Sequence, residues 1–155
     1  MPDPSPDETL THRLILPRDA NHYGTLFAGE LLSLALEAAY ATAYRTIGAS
    51  ANLVLKRVLD VRCFEPVKVG RVIEIRGREV HRARAMVIIA LHGTPLPQRP
   101  KPWMDCLMQF VQVDPTGRPI PIEGEVPERL PVLSLPWGPL RDRAIRLLAI
   151  RGGRN

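Results

Sequence analysis

Apolar and small side chains recur at Leu31, Leu34, Ala35, Ala38 and Ala41 or Thr42, the three-and-four spacing of one helix face. No Gly or Pro interrupts the chain between Gly29 and Gly48. The spacing therefore predicts a helix of about five turns that stops at Gly48. Its stripe is rich in alanine (Ala35, Ala38, Ala39, Ala41, Ala43), and small side chains let a helix lie close to another surface. A central helix wrapped by a sheet is the expected arrangement.

Around it the pattern changes to that of strands. Thr11–Leu16 reads as a first strand ended by Pro17, and Asn52–Cys63 as a long strand with charges interleaved. Arg71–Val80 alternates polar and apolar, and His81–Arg84 is a tight polar connection to the apolar strand Ala85–His92. Gly93–Pro102 carries four prolines and is expected to be a surface loop. Trp103–Val113 resumes strand pattern and ends at the turn Asp114-Pro115-Thr116-Gly117. Residues 118–137 are spaced by prolines and predicted to run extended along the surface. Gly138–Ile150 predicts a second helix, with Leu140, Ala144, Leu147 and Leu148 on one face and Gly152-Gly153 at its end. The order is strand, helix, four strands in a meander, helix: an α+β layer architecture. With one helix on one face of the sheet, the other face or an edge strand needs a partner, so at least a dimer is expected.

A chain of 155 residues fits one domain. The opening MPDPSPDETL has no apolar core of a signal peptide and is expected to be a disordered leader over residues 1–10. No apolar run approaches the ~20 residues of a membrane helix. Cys63 and Cys106 lack metal spacing, and two buried thiols in a cytoplasmic protein are expected. The net charge of +5 is almost all arginine, with Lys56, Lys68 and Lys101 the only lysines. Arg141, Arg143, Arg146, Arg151 and Arg154 crowd the C-terminus. A basic surface suits nucleic acid or a polyphosphate ligand. No helix-turn-helix, zinc finger or RNA-binding aromatic motif accompanies it, so nucleic acid is not favoured.

The candidate chemistry lies just ahead of the long helix. Asn21, His22 and Tyr23 precede a helix start whose first amides have no intrahelical partner, and such a terminus attracts an anion or a developing oxyanion. Gly24 and Gly29 would let a ligand approach the backbone. The plainer reading is that Asn21 closes an Asx-turn and Gly24 a sharp corner.

Three motifs in order resemble the hotdog-fold acyl-CoA thioesterases. Asn21-His22-Tyr23-Gly24-Thr25-Leu26-Phe27-Ala28-Gly29 is similar to the family loop N-x-x-G-x-x-F-G-G, with Ala28 for one Gly. Pro66-Val67-Lys68-Val69-Gly70 matches its P-V-x-x-G turn. Phe110-Val111-Gln112-Val113-Asp114 with Gly117-Arg118-Pro119 matches its F-V-x-x-D-x-x-G-x-P ending. The resemblance implies a hotdog domain over residues 11–122, one antiparallel sheet around the central helix, with 123–155 as an extension bearing an extra C-terminal helix. It implies paired hotdogs forming a continuous sheet, assembled further into a hexamer or tetramer, with the site at the dimer interface. Asn21 would position water or the thioester carbonyl. Gly24, Phe27, Ala28 and Gly29 would line the substrate site, with amides near Ala28 and Gly29 holding the oxyanion. Coenzyme A enters as part of the substrate, and no metal or further cofactor is implied. Its phosphates give surface arginines a role.

The family's helix carboxylate stands seven residues after the second Gly of the loop. Here that position is Leu36, and the acid comes one residue later, at Glu37, a rotation of about 100° around the helix. The family's G-x-T-S stretch appears as Ala83-Arg84-Ala85-Met86, without hydroxyls. Three functions follow. The first is a thioesterase in which Glu37 deprotonates a water, with His22 and Tyr23 as accessory groups. The second is an acyl-CoA-binding hotdog that has lost its base. The third is a hydratase or dehydratase of the same fold pairing His22 with Glu37, although the H-F-P-G pattern of that group is missing.

Overall fold

The alanine-rich stripe forms a helix of 20 residues, α1 (Ala28–Ile47), ended at Gly48, whose amide bonds the Tyr44 carbonyl. The computed structural model describes residues 5–48, 51–94, 97, 101–124 and 131–152. Leu31, Leu34, Ala35, Ala38, Ala39, Thr42 and Ala43 of α1 are buried. Of the two residues that could close the stripe, Thr42 is inside and Ala41 outside.

Five antiparallel strands wrap this helix: β1 (Glu8–Leu14), β2 (Leu53–Cys63), β3 (Val72–Arg82), β4 (Met86–Gly93) and β5 (Met104–Gln112). Their order in the sheet is β1-β3-β4-β5-β2. The expected four-strand meander is therefore wrong in one place. β3, β4 and β5 do meander, but β2 lies at the far edge against β5. Periodicity gives a strand its faces and not its neighbours; here Arg57 bonds Gln109 at 2.7 Å and Arg62 bonds Asp105 at 2.8 and 3.0 Å, joining β2 to β5. Small residues bring helix and sheet together. A Cβ on Gly77 of β3 would stand 2.2 Å from Thr42 Oγ1, and that hydroxyl lies 2.5 Å from Thr9 Oγ1 of β1.

β1 begins at Glu8, three residues ahead of the expected strand, so residues 8–10 do not belong to a disordered leader. Its seven residues pair continuously with β3. Residues 1–4 lie outside the described residues, as do 95, 96 and 98–100 of the expected proline loop and 125–130 of the extended stretch. β3 continues through His81 and Arg82, which the sequence reading placed in a connection. Cys106 is buried, but Cys63 is exposed at the end of the edge strand β2, where only one side of the backbone is paired.

The second helix, α2 (Trp137–Gly152), supplies a cover that the sequence reading assigned to a partner. Trp137, Leu140 and Ala144 pack on Val80, Ile88, Ala90 and Leu107, on the sheet face away from α1. Polar contacts fasten it. Trp137 Nε1 donates to Glu8 at 2.7 Å, and Arg143 reaches Asp105 at 2.9 Å and Asp60 at 3.1 Å. Arg141 donates to the Pro131 carbonyl. Two of the C-terminal arginines thus serve the fold. Burial alone would raise the Asp105 pKa, but hydrogen bonds from Arg62 and Arg143 outweigh it and hold the carboxyl below its ordinary value. The expected stop at Gly152-Gly153 falls at the helix end, with Gly153 outside the described residues.

Candidate active site

The segment from Pro17 to Gly29 is a hydrogen-bonded cradle ahead of α1. It opens with a short 3-10 turn, Pro17–Asp19. Asp19 is 2% exposed; its carboxylate accepts from the Leu16 amide at 2.9 Å and from Arg13 at 3.2 Å. The Asp19 carbonyl accepts the Phe27 amide at 2.8 Å, which closes the loop at its base. Beyond it, Leu26 N–H donates to the Val67 carbonyl at 2.7 Å, and Val69 N–H to the Gly24 carbonyl at 3.1 Å. Thr25 and Lys68 form an isolated bridge. The family-like loop and the P-V-x-x-G turn are thus one unit. Sequence reasoning did not find Asp19; its partner Arg13 sits on β1, and no local pattern marks the pair.

Asn21 does close an Asx-turn. Its Oδ1 accepts from Tyr23 N at 2.9 Å, from Thr25 N at 3.2 Å and from Thr25 Oγ1 at 3.2 Å. Backbone donors fix the oxygen inward, which leaves the Nδ2 amino group as the free end of the side chain. The outer end of the Asn21 side chain can therefore only donate. Its oxygen is not free to accept a proton from water. Gly24 sits at φ 74°, a turn conformation that favours glycine.

At the helix start Phe27 is the N-cap residue in an extended conformation, and the first intrahelical bond runs from the Leu31 amide to the Phe27 carbonyl at 2.9 Å. The amides of Ala28, Gly29 and Glu30 precede that bond. They have no hydrogen-bond partner among the described residues. Phe27 is 52% exposed and its ring lies across Gly29. His22 and Tyr23 project from the loop with ring centroids 3.9 Å apart, and Tyr23 is 78% exposed.

Asn21, Gly24, Phe27, Ala28 and Gly29 are thus held in one hydrogen-bonded unit. Glu37 does not join them. It lies nine residues beyond Ala28, about 13 Å along the helix axis. It faces outward, as does Leu36, which is 37% exposed. Leu36 belongs to a row of exposed apolar side chains at every fourth position, Leu32, Leu36, Tyr40 and Tyr44. Tyr40 stands edge-on to Phe110 of β5, and Phe110 pairs with Leu55 of β2. Val54, Leu55 and Val58 of that edge strand are also exposed.

A cavity of about 420 Å³ opens at the other end of α1, bounded by Glu8, Thr9, Arg45, Arg78 and His81 among others. It is at the opposite helix terminus from the cradle and holds none of the expected site residues. A site formed between subunits would not show as a cavity in one chain. Among the described residues no group of three or more His, Cys, Asp or Glu side chains could hold a metal ion. No described helix is long and apolar enough to cross a membrane.

No family model matches the chain. The acyl-CoA thioester hydrolase YciA of Salmonella typhimurium is 31% identical over 126 residues, spanning 76% of this chain and 92% of that protein. The chain belongs to the acyl-CoA thioester hydrolase family. The crystal structure of an apo-hexameric acyl-CoA thioesterase agrees with a TM-score of 0.73 at 26% identity, over 94% of this chain and 91% of that one. An acyl-CoA hydrolase of Staphylococcus aureus, solved with butyryl coenzyme A, coenzyme A and coenzyme A disulfide, shares the fold. Its TM-score is 0.77 at 22% identity, over 97% of this chain and 87% of that one. The hotdog architecture and thioester hydrolase chemistry implied by the three motifs therefore stand for this member of the acyl-CoA thioester hydrolase family.

Proposed function

We propose that this hydrolase cleaves acyl-CoA at a site shared by two copies of the chain. The thioester carbonyl oxygen approaches the amides of Ala28 and Gly29 and the Nδ2 group of Asn21. As water attacks, negative charge builds on that oxygen, and preorganised donors stabilise it without rearranging. The observation that carries this reading is the cradle itself: three amides without partners, beside an asparagine whose oxygen is fixed inward. His22 and Tyr23 are accessory groups at the mouth of the site.

The proton acceptor in this reading is Glu37 of a second copy, since the chain's own Glu37 is too far down α1. The exposed row Leu32–Leu36–Tyr40–Tyr44 and the free edge of β2 supply the apolar surface and unpaired backbone for that contact. A dimer is the minimum unit, assembling further to a hexamer as in the apo-hexameric relative. Coenzyme A is the substrate's carrier and no other cofactor takes part. The protein works in the cytoplasm, in keeping with Cys63 and Cys106 as free thiols.

Subunit mixing tests this. Asn21→Ala and Glu37→Gln each lower thiol release from acyl-CoA, and co-refolding the two variants restores part of it, because mixed dimers contain one intact site. No recovery in verified mixed dimers, or full activity in both single variants, removes the shared site.

A second reading has one observation in its favour. Leu36 occupies the expected acid position, within an apolar row, so the chain would bind acyl-CoA and turn it over only feebly. Binding of acyl-CoA without thiol release above the buffer rate would select it.

A further inference from the structure

Most of the arginines described are engaged within the fold. Arg13 pairs with Asp19, Arg62 and Arg143 with Asp105, Arg76 with Glu8 and Glu74, Arg78 with Asp7, and Arg82 with Glu79. Several exposed cations have no such partner among the described residues, Arg45, Arg84 and Arg118 among them; Arg18, Lys68 and Arg71 differ from those in sitting on the loops that carry the cradle. All three are exposed, and none has an ion-pair or hydrogen-bond partner for its side chain among the described residues.

Their backbones belong to one platform. Arg18 sits in the 3-10 turn one residue before Asp19, whose carbonyl receives the Phe27 amide. Lys68 is bridged to Thr25, three residues ahead of α1. Arg71 donates its amide to the Lys68 carbonyl at 3.2 Å, and its own carbonyl accepts the Ile15 amide at 2.9 Å. Gly70 N–H in turn donates to the Ile15 carbonyl at 2.8 Å. The buried carboxylate of the platform, Asp19, is spent on Arg13 and the Leu16 amide. Three uncompensated cations are thereby fixed to the loops that carry the cradle.

We infer that Arg18, Lys68 and Arg71 receive the phosphates of coenzyme A, so that substrate is anchored by its charged end on the rim of the cradle. This rests on the acyl-CoA reading above. The chemistry is that of charge-assisted bonds between guanidinium or ammonium groups and phosphate oxygens, an attraction that weakens as salt screens it. Anchoring a remote, unreacting part of the substrate places the thioester at the amides of Ala28 and Gly29.

The test compares one acyl group carried on coenzyme A and on N-acetylcysteamine, which has no phosphate. The variants are the single substitutions and the triple variant Arg18→Gln/Lys68→Gln/Arg71→Gln, with binding of free coenzyme A measured by calorimetry and subunit assembly by light scattering. In the wild-type protein the coenzyme A ester has the lower KM, and that advantage shrinks with added salt. The triple substitution narrows the advantage by about tenfold or more and weakens free coenzyme A by a similar factor. Unchanged coenzyme A affinity and an unchanged KM ratio in the triple variant overturn the inference. So does a loss that accompanies dissociation of the assembly and is equal for both esters. If the wild type hydrolyses neither ester yet loses coenzyme A binding on substitution, the anchor stands and the catalytic reading falls.

Discussion

The ring of Phe27 lies against Gly29 so closely that a Cβ built there would stand 2.6 Å from the ring's Cε1 carbon. The helix start is thus shaped by a glycine that has room for a neighbour's ring and for nothing of its own. Phe27 is half exposed and free to swing away, so Gly29→Ala is expected to disturb the ring's position more than the fold. The expected outcome is a Tm within a few degrees of the parent with kcat/KM lowered by about tenfold or more. Thermal melts and steady-state kinetics on one preparation check it.

Asn21 offers a sharper test, because its two side-chain ends do different work. A carboxylate still accepts the Tyr23 and Thr25 amides, so Asn21→Asp keeps the Asx-turn. It removes the Nδ2 donor and puts a negative charge where the oxyanion should form. Asn21→Asp is therefore expected to melt like the parent and to lose about a hundredfold or more in kcat, the scale of one lost oxyanion donor. Activity close to the parent's would mean that the donor has no part in turnover.

Leu36 is exposed, so an acid there meets no core penalty in the chain. If the chain has lost its base, Leu36→Asp is expected to raise kcat by about tenfold or more, drawing on the rate a positioned general base contributes. A pH–rate profile then gains a limb in the carboxylate range; if Glu37 of a second copy is the base, the parent already shows that limb and Leu36→Asp gains little. Light scattering must show the same assembly in both proteins, since Leu36 stands in the apolar row.

The helix fastening is sensitive to acid. Burial disfavours the Asp105 carboxylate, but Arg62 and Arg143 more than compensate, and its folded pKa lies below the ordinary value of about 3.9. A depressed carboxyl stabilises the fold above its unfolded pKa, and that contribution disappears as pH falls through the lower folded value. Arg143→Ala is expected to cost about 2 kcal/mol at pH 7 and progressively less once Asp105 is protonated. Denaturant titrations at pH 7 and at steps into acid measure the difference.

The elements were legible in the sequence because each is a local matter. Alanine at helical spacing marked α1, period-two alternation marked β3, strand-like runs rich in Val, Leu and Ile marked β2 and β4, with strand pattern resuming in β5, and the tail helix declared itself through Leu140, Ala144 and Leu147. Polar residues at the start of β1 hid its first turns of pairing, since Glu8 is matched by Arg76 and Trp137 and not by any neighbour in the chain. The strand order was illegible for the same reason: the contacts that join β2 to β5, Arg62 to Asp105 among them, link residues far apart in the chain, 43 positions in that pair. At the site, the loop from Asn21 to Gly29 stood out by its glycines and its place before a helix. That Asn21 turns its oxygen inward depends on the Tyr23 and Thr25 amides, and only the folded backbone decides which end of an amide is left over. Asp19 and the unpaired Arg18, Lys68 and Arg71 were invisible as a set, because a cation counts as available only after every carboxylate has been assigned.

The second helix also limits how this molecule can meet its own kind. With α1 on one side of the sheet and α2 on the other, each side has a cover from the same chain. What is left for a second copy to meet is the outer side of α1, with its ridge of Leu32, Leu36, Tyr40 and Tyr44, and the two borders β1 and β2.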